Sequence, residues 1–161
     1  MMTVATSKAS PSRREPGAAD TARGALVGAS IERYLQAASA LERDHMVREG
    51  FEPGSLDAFA HRFGRSGRSL AQLLGVAPAT YDRRVREGKP LSQDDSDRVA
   101  RLIDVERAAT RVFGDEAAAR AWLATPVPVL GGAVPIELIA TTPGHQAVMN
   151  ALRRIMAGTA A

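Results

Sequence analysis

The 161-residue chain contains no cysteine. That absence excludes a disulfide scaffold, a zinc–thiolate centre and a thiol nucleophile, and it makes a reducing cytoplasm the expected compartment. Aromatic residues are scarce, with four Phe, two Tyr and one Trp, and Ala, Leu and Val supply most of the remaining apolar side chains. Such small groups suit closely packed helices better than a sandwich. Lysine is nearly missing too: of 21 basic residues only Lys8 and Lys89 are Lys, and the rest are Arg. Arginine forms bidentate contacts to phosphates and bases, although high-GC coding alone produces the same bias. No run approaches 18 apolar residues, so no helical membrane span is expected, and Ala25 to Val27 is too short for a signal h-region. The length suits one compact domain or two small helical modules sharing a core, and is too short for a (β/α) barrel.

Residues 1–28 carry Ser7, Ser10, Pro11, Ser12, Pro16 and Gly17 without an apolar period, and read as a disordered leader. Eight helical segments follow. Ser30 is the expected cap of a helix running toward Arg48, with Leu41 on its inward stripe, and Ser55 of a second that Gly64 closes. Short helices are expected over Ser69–Leu74 and Pro78–Glu87. Ser92 opens the longest helix, which Gly114 stops, and Asp115 caps the next. Thr125 to Val134 is a turn-rich connector. Pro135 then opens a short helix, and a last one begins near Gly144 with Val148, Leu152 and Ile155 inward. The class is all-α: a helix-turn-helix module over residues 29–90 and a small helical domain over residues 91–161.

Charge by segment is more informative than the total of +3. Residues 61–90 hold seven basic and two acidic side chains, whereas residues 26–60 hold three and six. The basic segment also contains two short helices around Gly75, the plan of a helix-turn-helix. Ala71 permits close crossing, Leu74 and Val76 fill the space beneath the turn, and Tyr81 and Val85 face inward. Pro78, Ala79, Thr80, Arg83 and Arg84 then lie on or near the outward surface, where one of the two arginines reads base edges and the other holds backbone. Arg62, Arg65, Arg68 and Arg86 are candidates for further phosphate contacts.

Nothing in the sequence assembles into a catalytic centre. His45, His61 and His145 form no metal-ligating spacing, and the acidic pairs Asp94–Asp95 and Asp115–Glu116 fall at helix starts, where the dipole favours them. Gly131–Gly132 lacks the Lys-Ser/Thr of a P-loop. No enzyme activity, cofactor or metal is expected.

The second half carries an ordered series: Arg111-Val112-Phe113-Gly114-Asp115, Ala119 to Trp122-Leu123, Pro126, Leu130-Gly131-Gly132, Pro135-Ile136-Glu137-Leu138-Ile139, Thr142, Gly144, Val148, Leu152-Arg153-Arg154-Ile155 and Gly158. In that series the chain resembles the Xre/MbcA/ParS-type bacterial antitoxins from about Phe63 to Thr159, including the Arg83–Arg84 pair. Val127-Pro128-Val129 departs from the polar turn more usual before the Leu-Gly-Gly. The resemblance implies an antitoxin that occludes a RES-domain, NAD+-depleting toxin and represses its own promoter DNA, as a homodimer. Toxin contact would then involve Pro135, Ile136, Leu138, Ile139, Arg153, Arg154 and Gly158. The alternative is a transcription regulator with no toxin partner.

Overall fold

The computed structural model of the chain describes residues 29–158, and the leader expected over residues 1–28 lies outside them. Among the described residues there are nine α-helices: α1 (Ala29–Gln36), α2 (Ala40–Glu49), α3 (Pro53–His61), α4 (Gly67–Leu73), α5 (Pro78–Glu87), α6 (Gln93–Phe113), α7 (Glu116–Leu123), α8 (Pro135–Leu138) and α9 (Thr142–Met156). A 3-10 turn, Pro128–Leu130, sits between α7 and α8. Within the same residues β pairing is limited to one antiparallel bridge between Val127 and Ala133, so the connector folds back on itself and the class is all-α. Among the described residues no helix is long and apolar enough to cross a membrane.

Helix α6 organises the rest. Ser92 caps it by accepting from the Asp95 N–H at 3.2 Å, and Gly114 ends it in the left-handed conformation at φ 73°. Its stripe of Val99, Leu102, Ile103, Val105 and Ala109 is buried, and α2, α7 and α9 pack against it. One continuous apolar cluster results, reaching from Ile31 and Tyr34 through Leu70 and Leu74 to Val148 and Leu152. Burying each large side chain there stabilises the fold by about 1.5–3 kcal/mol. Tyr34 meets Phe51 edge-on at 5.4 Å and donates its hydroxyl to Asp104 at 3.1 Å, which joins α1 to α6.

The N-terminal helices differ from the expected pattern. A single helix from Ser30 to Arg48 is replaced by α1 and α2, because Ser39 is the cap in use: it accepts from the Glu42 N–H at 3.1 Å, while the Glu42 carboxylate accepts from the Ala38 N–H at 2.9 Å. The break redirects the chain and leaves Leu41, expected inward, 78% exposed. Ser30 lies within α1 and accepts from the Glu52 N–H at 3.1 Å, while Ser55 lies within α3 and accepts from the Ile31 N–H at 2.8 Å. Both serines, expected as helix caps, instead cross-link the starts of α1 and α3. Helix α3 opens at Pro53, whose ring suits a first turn. Helix α9 likewise begins before Gly144, because Thr141 caps it by accepting from the Gly144 N–H at 3.1 Å.

Candidate functional site

Helices α4 and α5 form the helix-turn-helix. Ser66 caps α4 by accepting from the Ser69 N–H at 3.2 Å, and Gly67 packs so closely on α3 that a Cβ there would lie 2.8 Å from the Asp57 Cα. Leu70, Ala71, Leu74 and Val76 are buried beneath the turn. Gly75 turns the chain at φ 82°, and its carbonyl accepts from the Arg98 guanidinium at 3.2 Å, which ties the turn to α6. Tyr81 anchors α5 by donating to the Pro53 carbonyl at 3.1 Å. Burial and the nearby carboxylates of Asp57 and Asp82 push its hydroxyl pKa up to about 12. The structure turns Val85, expected inward beside Tyr81, outward: α5 is anchored on α3 through the buried Tyr81, while Val85, one turn later, is 51% exposed and lines clefts on the protein surface.

The basic residues fall in three settings. Ala79, Arg83 and Arg86 are exposed on the side of α5 opposite Tyr81, with Pro78 and Thr80 half-buried at its start. Arg65 is exposed between α3 and α4, and Arg68 pairs with Asp82 at 3.0 Å, next to Arg83. Arg62 and Arg84 are placed differently. Arg62 stacks over Phe59 at 5.4 Å and pairs with Glu106 at 3.6 Å and Glu116 at 3.1 Å, so its charge is already matched within the chain. Arg84 turns toward a cleft between α5 and the starts of α1 and α3.

The second site lies at α8 and α9. Pro135, Ile136 and Ile139 are buried and hold the short helix to the core, while Leu138 is half-buried and Glu137 faces outward. Arg153, Arg154 and Gly158 are exposed at the end of α9. Val148 and Leu152 point inward as expected. Beside them an open groove of about 250 Å³ runs between α6 and α9, lined by Ala108, Val112, Met149, Leu152 and Met156 with Arg111 and Arg153 at its rim. Met156 is 62% exposed there, an adaptable apolar side chain at an open edge. His145, near the start of α9, has its imidazole pKa lowered, first by burial and then by Arg101.

Sequence reasoning missed the carboxylate of Glu106. It is 3% exposed as a side chain and sits on the apolar stripe of α6, four residues after Leu102. An acidic residue at a core position was the available signal, since such a group needs partners when buried. Burial pushes the Glu106 pKa upward, while Arg62 and Arg120 pull in the opposite direction. Among the described residues no three His, Asp or Glu gather where they could hold a metal ion.

These features define a helix-turn-helix protein with a second helical module built on the same long helix. The family model described as the Xre-like antitoxin helix-turn-helix domain matches residues 42–104. The model described as the Xre/MbcA/ParS antitoxin C-terminal toxin-binding domain matches residues 108–158, so the two meet within α6. Antitoxin Xre of Yersinia enterocolitica is 34% identical over 113 residues, which cover 70% of this chain and 76% of that relative. A Sphingobium protein named Prs ADP-ribosylating antitoxin is 29% identical over 133 residues, 77% of this chain and 84% of its own. Antitoxin Xre of Pseudomonas putida is 32% identical over 79 residues, about half of each chain. The chain belongs to the Xre family of antitoxins, proteins of toxin–antitoxin systems that combine a helix-turn-helix domain with a toxin-binding domain.

Proposed function

We propose that the chain neutralises a RES-domain toxin that consumes NAD+, by placing the end of α9 over the toxin's substrate entrance, and that it represses its own promoter through α5. The observation that carries this reading is the exposed Arg153–Arg154 pair closing α9 beside an open apolar groove, within the part matched by the toxin-binding domain. Guanidinium groups at a helix end suit a pocket built to receive the phosphates of a dinucleotide. Glu137, Leu138 and Gly158 extend that surface, and the buried Pro135, Ile136 and Ile139 hold it in place. On the opposite module, Ala79, Arg83 and Arg86 face duplex DNA, with Arg65 and Arg68 toward its backbone. The chain acts in the cytoplasm as a homodimer on a two-fold operator, and its own residues carry out no chemistry.

The name of the Sphingobium relative, Prs ADP-ribosylating antitoxin, favours a second form of the toxin's chemistry, ADP-ribosylation in place of simple NAD+ depletion. Occlusion by α9 blocks both forms. Co-expression with the product of the adjacent reading frame, copurification and mass measurement test the reading. A stable complex in which NAD+ is spared supports it. A neighbour without a RES domain, or toxin that runs separately and still consumes NAD+, favours a stand-alone regulator. Purified chain that itself consumes NAD+ contradicts the non-enzymatic role.

A further inference from the structure

Arg83 and Arg84 are adjacent in sequence but face different surroundings. Arg83 shares the exposed side of α5 with Ala79 and Arg86. Arg84 lies about 60° from Tyr81 around the helix, is half-buried, and has its Nε enclosed without a hydrogen-bond partner. It lines a cleft of about 460 Å³ at the starts of α1 and α3. In that cleft the Oε2 of Glu52 is also enclosed and without a partner. A donor and an acceptor of opposite charge, both removed from solvent, each demand a partner. The other cations of the cleft are engaged or outward: Lys89 pairs with Glu87 at 3.1 Å, and Arg33 is exposed on α1.

Glu52 is also a firm point in the fold. Its N–H donates to Ser30 Oγ, and the next residue, Pro53, accepts the hydroxyl of Tyr81. The edge that holds Tyr81 therefore adjoins the residue whose carboxylate lines the same cleft as Arg84. We propose that Arg84 is a positioning residue: paired with Glu52 across the cleft through a bridging water, it fixes the rotation of α5, and Arg83 with Ala79 and Arg86 forms the surface presented to DNA. The consequence for DNA rests on the reading of α5 as the recognition helix; the pairing itself is a property of the free chain.

Two measurements test it. In thermal unfolding of the free full-length chain, Arg84→Gln and Glu52→Gln should each lower Tm, and the double variant should lie no lower than the worse single one. Losses that add overturn the pairing. In titrations of promoter duplex across salt concentrations, both single variants should weaken specific binding about tenfold with the log–log salt slope unchanged, while Arg83→Gln reduces the slope by about one. The sign for Glu52→Gln is diagnostic, because removing a negative charge would otherwise strengthen binding to a polyanion. A slope that falls by about one for Arg84→Gln, or tighter binding by Glu52→Gln, overturns the proposal. If the unaltered chain does not retain promoter duplex, the DNA reading fails instead, and the unfolding cycle alone decides the pairing.

Discussion

Arg120 donates to the Glu106 carboxylate at 3.2 Å, joining α7 to the charged group that α6 buries in the core. Arg62 approaches the same carboxylate from the end of α3, and Glu116 lies 3.1 Å from Arg62 and 3.0 Å from Arg120. The cluster links the part matched by the helix-turn-helix model to the part matched by the toxin-binding model.

The two sides of this pair should respond unequally to mutation. Desolvation dominates at Glu106, so Glu106→Gln should change stability by no more than about 1 kcal/mol, whereas Arg120→Ala leaves a buried carboxylate with only the more distant Arg62 and should cost about 3 kcal/mol. The folded pKa of Glu106 is raised, so its contribution is fully present below the ordinary Glu value and is lost as pH rises through the raised one. Removing Arg120 raises that pKa further. Urea unfolding should therefore show the Arg120→Ala deficit growing from pH 4 toward pH 7.

On α9, Leu152 is 2% exposed and Arg153 is its exposed neighbour. Leu152→Ala should cost about 2–5 kcal/mol and weaken toxin binding through the fold. Arg153→Ala should stay within about 0.5 kcal/mol of the unaltered chain, so any loss of inhibition it causes is a loss of contact. Unfolding and copurification measured on the same preparations separate the two.

Two glycines of the helix-turn-helix should differ in severity. Gly67→Ala drives a methyl group into the α3 backbone at Asp57, while at Gly75 the nearest atom beyond the turn is 3.9 Å away and only the positive φ opposes a side chain. Gly75→Ala should cost about 1 kcal/mol, and Gly67→Ala distinctly more, with loss of the α4–α5 packing visible in amide exchange.

Arg62 and Arg65 should part company on DNA. Arg65→Ala should lower the salt slope by about one without changing stability, because the side chain is exposed. Arg62→Ala should destabilise the chain and leave the slope intact, since its charge is spent on Glu106 and Glu116.

Much of this architecture was legible in the sequence where local chemistry sets the outcome. Ser92 and Asp115 cap their helices, Pro78 and Pro135 open theirs, and the Gly75 turn stands where its flanking Leu74 and Val76 place it. The misread positions depend on tertiary contacts. Ser30 and Ser55 have the side chains of caps but meet backbone N–H groups of a neighbouring helix, and the capping pair Ser39–Glu42 was hidden inside what resembled a continuous amphipathic stripe. Sequence also records charge without direction: Arg62 and Arg84 share the basic segment with Arg65, Arg68 and Arg83, yet the first pairs with Glu106 and the second lines the cleft that Glu52 also lines.

The most direct test of the account is the NAD+ content of cells expressing the adjacent toxin together with either the full chain or a chain ending at Arg153. The account predicts that the truncated chain remains folded and helical and still retains promoter DNA, while NAD+ falls as it does with toxin alone. NAD+ held at the full-chain level by a folded truncation would contradict occlusion by the end of α9.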